Sequence, residues 1–335
     1  MYSIALKLSI IAGFITGSLQ VPASDHVKRD SPVLPGYNAD PNIAVFGDTY
    51  YIYPTADGQN WEGTSFYVWK SQNLVDWTRS EEPVLTLDGT RGFGHSPWAT
   101  GNAWAPTIIE REGTYYFYYS GWNLNVRQIN IGVAVGRSPE GPFAGAPEPM
   151  IIGNEHESLQ GVEIIDPMAF RDPDTGKYWL YWGNGRSMRA QLNKDMLTIN
   201  WNTLGENTGL DEYLEAPFVV WRQGAFHMTW SISDTRSEDY RVGYATAPTA
   251  KGPWESRGVI LKKDVEKGIL GTGHQSIVNA PGTDDWYIVY HRFAIPDGDG
   301  YHRETTIDRL NFDPQTGLIK PVKPTLKGIS RRPSE

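Results

Sequence analysis

The chain has 335 residues, which a typical domain length divides into one large or two ordinary domains. With 30 basic and 39 acidic residues the formal net charge is −9, and no run of Lys or Arg exceeds two, so the positive surface that nucleic acids require is missing. The composition, 39% hydrophobic and 21% charged, is globular rather than disordered. Cysteine is absent, which excludes disulfides, thiol nucleophiles and zinc–thiolate sites.

The N-terminus has the order of a secretory signal peptide. Lys7 precedes an apolar run from Leu8 to Ile15, and small residues follow as far as Ser24. The run is too short to span a bilayer, and a buried N-terminal strand is the alternative interpretation. We therefore expect a signal peptide over residues 1–23, a short propeptide to about residue 29 that ends at Lys28-Arg29, and a secreted, extracellular protein without a membrane anchor.

An aromatic strand pattern then recurs along the chain. Five apolar and aromatic segments each follow a short turn that contains Gly or Asp, and they begin at Tyr50, Tyr115, Tyr178, Phe226 and Trp286. A second strand follows each segment, and a third precedes it. In four repeats the preceding strand begins at an X-Pro step, and the fifth, around His274, lacks the proline. The steps are Asp40-Pro41, Ala105-Pro106, Asp166-Pro167 and Ala216-Pro217.

Five such repeats without intervening helices predict an all-β fold, a five-bladed β-propeller that forms a single domain over residues 31–330. A β-sandwich is the alternative, but its strands would not explain a pattern that repeats near every sixty residues. No change of composition and no Ser/Thr/Pro-rich linker separates the repeats, so no appended binding module is expected.

Three of the five inner strands start beside a carboxylate: Asp40, Asp166, and Glu215 one residue ahead of Ala216-Pro217. The first strand of a propeller blade lines the central channel, so these side chains should gather at one mouth of it. Glycosidic bond hydrolysis needs one carboxylic acid and one carboxylate, roughly 6.5–9.5 Å apart in an inverting enzyme. A third carboxylate near the acid would raise its pKa and keep it protonated at mildly acidic pH.

Six short segments occur in order along the chain: Val33–Pro41, Trp104-Ala105-Pro106, Ile165-Asp166-Pro167-Met168, Leu214-Glu215-Ala216-Pro217, Gly273-His274 and Arg303-Glu304-Thr305. Taken together, these segments resemble glycoside hydrolase family 43 from about residue 33 to residue 325. The resemblance implies a five-bladed propeller that inverts the anomeric configuration of pentofuranosides and xylosides. It implies Asp40 as general base, Glu215 as general acid and Asp166 as the residue that tunes and orients the acid.

Three further residues are candidates for substrate binding. Trp104 offers a flat apolar face for a sugar ring, or else packs between blades. Arg303, in the position of the family's Arg-Glu-Thr segment, would hold a sugar hydroxyl and balance the carboxylates, or else form a structural ion pair. His274 could bind substrate, hold an ion in the channel or only donate a structural hydrogen bond. The chemistry requires no cofactor, and the resemblance implies at most calcium or another cation near His274.

The expected partner is an oligosaccharide or polysaccharide, with neither nucleic acid nor membrane, and the oligomeric state is open. The resemblance favours an exo-acting β-D-xylosidase with α-L-arabinofuranosidase activity on xylan or arabinoxylan oligosaccharides. The insertions Gly58 to Thr64 and Thr86 to Gly101 could wall the pocket that an exo enzyme needs. The alternatives are an exo- or endo-1,5-α-L-arabinanase and, in a different class, a non-catalytic carbohydrate-binding propeller.

Overall fold

The computed structural model describes residues 31–329, so the predicted signal peptide and the predicted propeptide lie outside the described residues. Strands and turns dominate this part of the chain, and its helices are single 3-10 turns at Gly153–Glu155, Glu157–Leu159 and Val265–Lys267. Among residues 31–329 no helix has the length and apolar character needed to cross a membrane.

The strands follow one another mostly as antiparallel hairpins. The first seven are β1 (Asn38–Phe46), β2 (Thr49–Ala56), β3 (Ser65–Phe66), β4 (Trp69–Ser71), β5 (Thr78–Arg79), β6 (Leu85–Leu87) and β7 (His95–Ser96). The next eight are β8 (Trp104–Arg111), β9 (Thr114–Asn123), β10 (Gln128–Gly136), β11 (Ala144–Gly145), β12 (Met168–Arg171), β13 (Tyr178–Trp182), β14 (Met188–Leu192) and β15 (Ile199–Glu206). The last seven are β16 (Glu215–Arg222), β17 (Ala225–Ile232), β18 (Arg241–Ala247), β19 (Glu255–Leu261), β20 (Gly273–Asn279), β21 (Trp286–Phe293) and β22 (Arg303–Leu310).

These strands form six sheets in a propeller arrangement, which confirms the all-β propeller and shows that the prediction of five blades is wrong. The additional sheet consists of β3, β6 and β7, whose strands are two or three residues long. Strands this short cannot display the alternation by which a strand is predicted. The sequence pattern therefore predicts a single strand over Phe66–Trp69, which merges β3 with β4, and it places β6 and β7 in a loop. The other sheets are β1-β2-β4-β5, β8 to β11, β12 to β15, β16 to β19, and β20 to β22.

Apolar side chains fill the spaces between neighbouring sheets in four clusters. The aromatic residues of the repeated pattern carry much of this core: Tyr53, Tyr118, Tyr181 and Tyr290 are fully buried. Tyr118 donates its hydroxyl proton to the backbone oxygen of Met196, at 2.8 Å, in the next sheet. The repeated aromatic strand is therefore the packing unit that joins one sheet to the next.

The last sheet closes onto the start of the chain. The Val33 backbone N–H donates to the Thr305 carbonyl oxygen at 3.0 Å, and the Thr305 hydroxyl donates to the Asn38 carbonyl oxygen at 2.9 Å. Between β1 and β20, the Ser276 hydroxyl donates to the Pro41 carbonyl oxygen at 2.6 Å. These bonds join the ends of the described chain and fix β1, which carries Asp40, against the last sheet.

The inner strands of five sheets share a strained backbone at their start. Asp40, Ala105, Asp166, Ala216 and His274 all have positive φ, between 41° and 58°. Four of these strands pair with an irregular register over this step, which marks a β-bulge. Non-glycine residues seldom adopt this conformation, and it costs on the order of 1–3 kcal/mol at each residue. Its recurrence indicates that the packed ring enforces it at the point where the strands converge.

A buried ion pair at this closure should be essential for stability. The Arg292 Nε donates to Glu304 Oε1 at 2.8 Å, and both side chains are almost inaccessible. We expect Arg292→Leu to lower the free energy of unfolding by about 3–5 kcal/mol, because it leaves Glu304 buried and unpaired. Denaturant titration measures this. Lys70→Met, which breaks the exposed Lys70–Glu140 pair, is the matched control and should cost less than about 1 kcal/mol; equal losses would contradict the prediction.

Candidate functional site

All six residues predicted for the site line one pocket that adjoins the central channel. The pocket encloses about 730 Å³ of empty space, part of it open to solvent. The residues that the sequence predicted are Asp40, Trp104, Asp166, Glu215, His274 and Arg303. The residues that the sequence did not predict are Trp61, Glu163, Ile165, Asn184, Leu214, Asp234, Thr235 and Arg236.

Asp40 lies among cationic and imidazole groups. Its Oδ1 is 3.0 Å from the Arg303 Nη1, 3.1 Å from the His274 Nδ1 and 3.1 Å from the His291 Nδ1. Burial alone would raise the pKa of Asp40, but the charge of the Arg303 guanidinium and the smaller effects of the other neighbours outweigh burial and hold that pKa well below its usual value. Asp40 is therefore ionised throughout the ordinary pH range.

Arg303 is fixed by a carboxylate that the sequence analysis missed. Asp57, directly after β2, accepts hydrogen bonds from the Arg303 Nε at 2.8 Å and Nη2 at 3.2 Å, and from its backbone N–H at 2.9 Å. This bidentate contact orients the guanidinium so that Nη1 points at Asp40. Asp57 follows an aromatic strand and precedes Gly58, which is a pattern typical of a turn, so no sequence signal indicates its role.

Glu215 has two hydrogen-bond donors, one on each oxygen. The Tyr240 hydroxyl donates to Oε1 at 2.6 Å, and the Asn184 amide donates to Oε2 at 2.7 Å. Burial raises the pKa of Glu215 to about 7 against the lowering effect of these two bonds. Gly273 makes room for Tyr240, because a Cβ at this residue would lie 2.4 Å from a Tyr240 ring carbon. Sequence patterns predicted neither Asn184 nor Tyr240, both of which lie in loops.

Asp166 and Glu215 behave as a pair. A ligand atom on each of Asp166, Glu215 and His274 lies within 4.8 Å of the other two. Burial, together with the charges of Glu215 and Asp40, raises the pKa of Asp166 well above its usual value, while the Ala216 N–H that donates to its Oδ2 at 3.1 Å opposes the shift. Two buried carboxyls at this separation do not ionise together easily. The pair therefore retains a proton at pH values where Asp40 has none.

A stack of two rings connects the two sides of the site. His291 and Tyr240 lie nearly parallel, with centroids 5.4 Å apart. His291 contacts Asp40, and Tyr240 contacts Glu215. His291 accepts a hydrogen bond from the Asp40 N–H at Nδ1, and burial lowers the pKa of His291 to about 4, so the ring is neutral. The stack sets the spacing of the two carboxylates through packed side chains.

Trp61, from a loop, and Trp104, at the start of β8, form one wall of the pocket. Trp104 and Trp61 meet edge to face at 6.1 Å, and the Trp104 indole donates to the Trp61 carbonyl oxygen at 2.8 Å. The ring centroids of Tyr301 and Trp61 are 4.6 Å apart, and the Arg236 guanidinium lies 5.6 Å from the Trp61 ring centroid. The insertion Gly58 to Thr64 thus contributes Trp61 to the pocket. The insertion Thr86 to Gly101 contributes no residue to this pocket's lining. It forms part of the sheet of β3, β6 and β7 instead.

The residues near His274 match a resident calcium ion poorly. Calcium takes six to eight oxygen ligands, whereas the metal-capable group here has two carboxylates and one imidazole. Nδ1 of His274 already contacts Asp40. A divalent cation between Asp166 and Glu215 would also hold both carboxyls ionised and remove the proton that the pair retains. The expected cation near His274 stays a prediction, and no step of the chemistry below depends on it.

Comparison with known proteins gives a family and relatives. The family described as "Glycosyl hydrolases family 43" matches residues 29–316. "Beta-D-galactofuranosidase xynD" of Aspergillus niger is 32% identical over 94% of this chain and 91% of the relative. "Xylosidase/arabinosidase 43A" of Humicola insolens is 25% identical over 86% of this chain and 97% of the relative.

Solved structures of the same kind superpose on the chain. A thermostable family-43 glycoside hydrolase matches with a TM-score of 0.77 and 28% identity, over 91% of this chain and 99% of that one. A family-43 β-xylosidase/α-arabinofuranosidase from a compost metagenome, solved with xylotriose in a calcium-free form, matches with a TM-score of 0.72 and 25% identity. That match covers 90% of this chain and 98% of the other.

The contact between Tyr240 and Glu215 yields a prediction. The Tyr240 hydroxyl bond favours the ionised carboxylate, so Tyr240→Phe should raise the pKa of Glu215 above its value of about 7. Titration of carboxyl-labelled Glu by NMR measures the change. Tyr213→Phe is the matched control, since the Tyr213 hydroxyl donates to the Gly183 carbonyl oxygen instead. An unchanged or lower Glu215 pKa in Tyr240→Phe would contradict the assigned hydrogen bond.

Proposed function

Because the chain belongs to glycosyl hydrolase family 43, we propose that it is an inverting glycoside hydrolase that acts on plant cell-wall pentosans. In this proposal it is an exo-acting β-D-xylosidase with α-L-arabinofuranosidase activity on xylan and arabinoxylan oligosaccharides. The observation that carries the proposal is the unequal protonation of three buried carboxyl groups in one pocket, with Asp40 ionised and the Glu215–Asp166 pair retaining a proton.

Glu215 is proposed as the general acid. Its pKa of about 7 keeps the carboxyl protonated at mildly acidic pH, which is the state needed to protonate a departing glycosidic oxygen. Asp166 is proposed to keep Glu215 protonated, because a negative charge on Asp166 disfavours a second negative charge on Glu215. Activity should therefore fall as the pH rises through about 7, where Glu215 loses its proton.

Asp40 is proposed as the general base. Its low pKa keeps it ionised, so it can take a proton from a water molecule that attacks the anomeric carbon on the face opposite the leaving group. Attack from the opposite face inverts the anomeric configuration. Arg303, which bonds both Asp40 and Asp57, restricts the base to one orientation and lines the pocket where sugar hydroxyls would lie.

The pocket wall supports exo action. Trp61 and Arg236 lie in separate loops, Trp104 begins β8, and Trp61 contacts both of the others along one side of the pocket. Such a wall limits the room on that side to a terminal sugar, and its indole rings offer apolar faces for sugar C–H groups. An endo-arabinanase would instead need a groove open on both sides.

Activity on β-D-galactofuranosides is a second candidate, and the Aspergillus niger relative favours it. An α-L-arabinofuranoside and a β-D-galactofuranoside present the same ring hydroxyls, and the hexose adds one CHOH unit to the exocyclic group. The loops that carry Trp61 and Arg236 would decide whether that unit has room.

Export from the cell is also proposed, on the signal-peptide pattern of residues 1–23.

A panel of nitrophenyl glycosides tests the function. We expect hydrolysis of the β-D-xylopyranoside and the α-L-arabinofuranoside, with the β-D-galactofuranoside as the comparison that measures the second candidate. The rates can be followed by nitrophenolate absorbance. Binding of these sugars without hydrolysis of any would favour a non-catalytic carbohydrate-binding protein and would overturn the proposal.

Glu215→Gln, assayed on the nitrophenyl glycosides and on xylobiose, tests the proposed role of Glu215 as the acid. Without a proton donor, xylobiose hydrolysis should fall by about 100- to 10,000-fold, whereas nitrophenyl glycosides, whose leaving group needs little protonation, should lose far less. Equal losses on both kinds of substrate would mean that Glu215 is not the acid.

Azide separates the two aspartates. Asp40→Asn deletes the proposed base, so activity should fall at every pH, and azide should restore turnover and convert a β-xyloside into the α-xylosyl azide. Asp166→Asn is the control: azide should have no effect, and the basic limb of the pH profile should move to lower pH because a charge that raises the Glu215 pKa is gone. Product NMR and pH–rate profiles measure both. If azide rescued Asp166→Asn and not Asp40→Asn, Asp166 would be the base and Asp40 the residue that tunes the acid.

A further inference from the structure

A second pocket adjoins the catalytic pocket at Glu163. Glu163 lines both pockets. The second pocket encloses about 610 Å³ of empty space between the β9–β10 hairpin and the segment that carries the first two 3-10 helices. Its other lining residues are Trp122, Gln128, Ile129, Gly153, Asn154, Leu159, Gly161, Val162 and Ile164.

Glu163 lies on the side of the proposed acid. Glu163 and Asn184 form an isolated β-bridge, with backbone N–H to O distances of 3.2 and 3.0 Å. The Asn184 side chain donates to Glu215. A departing sugar leaves from the oxygen that the acid protonates, so the next units of a substrate chain extend from the Glu215 side of the pocket, to which Glu163 is joined through Asn184, rather than from the Asp40 side.

The second pocket has the groups that recognise sugars. Within residues 31–329 the side chains of Gln128, Asn154 and Glu163 have no hydrogen-bond or ion-pair partner, so two amides and one carboxylate are free for hydroxyl groups. Trp122 is half-buried in the lining, so part of its indole is available for an apolar sugar face. A pocket with one aromatic face and a few polar side chains is typical of small-ligand sites.

We propose that this second pocket, defined by Trp122, Gln128, Asn154 and Glu163, binds a pentose unit of the leaving chain of an oligosaccharide substrate. The proposal rests on the proposed function and adds to it. It makes the enzyme selective for oligosaccharides over short glycosides, because a longer substrate contacts both pockets and a single sugar contacts only the first.

Binding measurements on a variant that does not turn over substrate test this. With Glu215→Gln as the background, calorimetry compares xylotriose and α-1,5-arabinotriose with xylose and arabinose. Trp122→Ala should weaken binding of at least one trisaccharide by about tenfold and change monosaccharide affinity by less than about twofold. Asn154→Ala, on an exposed residue, should act in the same direction and guards against misfolding of the tryptophan variant. Phe93→Ala, on an exposed aromatic residue outside the lining of both pockets, should change neither affinity.

Several results would overturn the proposal. They are equal weakening of trisaccharide and monosaccharide binding, trisaccharide affinity that neither variant changes, or no binding of either trisaccharide in the background protein. The proposed function fails on a different result, the absence of nitrophenyl glycoside hydrolysis by the wild-type protein. The two outcomes are therefore read from separate measurements.

Discussion

The site depends on one repeated backbone constraint, the left-handed step at the start of the inner strands. Asp40, Asp166 and His274 have positive φ themselves, whereas Glu215 comes immediately before Ala216, which has it. An extended strand would alternate its side chains between the two faces. A bulge interrupts that alternation at Asp40, Glu215 and His274, and all four of these side chains line the catalytic pocket. The conformational strain is distributed over strands that are each held by a full sheet.

Charge placement then separates the roles of chemically similar groups. Four carboxyl groups, those of Asp40, Asp57, Asp166 and Glu215, are buried close to a single guanidinium, that of Arg303. Arg303 contacts the two aspartates on its own side, so the uncompensated charge falls on Asp166 and Glu215. Burial, with this uncompensated charge, raises the pKa values of Asp166 and Glu215, while Arg303 depresses the pKa of Asp40. Burial and one buried cation placed off-centre together divide the carboxyls into an ionised Asp40 and a pair that retains a proton.

The sequence predicted the part of this arrangement that repeats. The X-Pro steps identified Asp40, Asp166 and Glu215, because the same local signal recurs at the same place in the repeat. The sequence did not predict Asp57, Asn184 or Tyr240, because each lies in a turn or loop whose direction depends on packing against other sheets. The sheet of β3, β6 and β7 was missed for a related reason, its strands being held by neighbours rather than by their own pattern.

The two hydrogen bonds on Glu215 leave room for a proton on the carboxyl group and stabilise the carboxylate that remains when the proton leaves. Each carboxyl oxygen has two lone-pair positions, and Tyr240 and Asn184 occupy only one on each oxygen. A proton can therefore sit at a remaining position that faces the pocket while both donors stay in place. When that proton leaves, the carboxylate that forms is already stabilised by two donors, so no side chain needs to move. The same bonds lower the pKa that burial raises, which keeps the proton transferable instead of trapped.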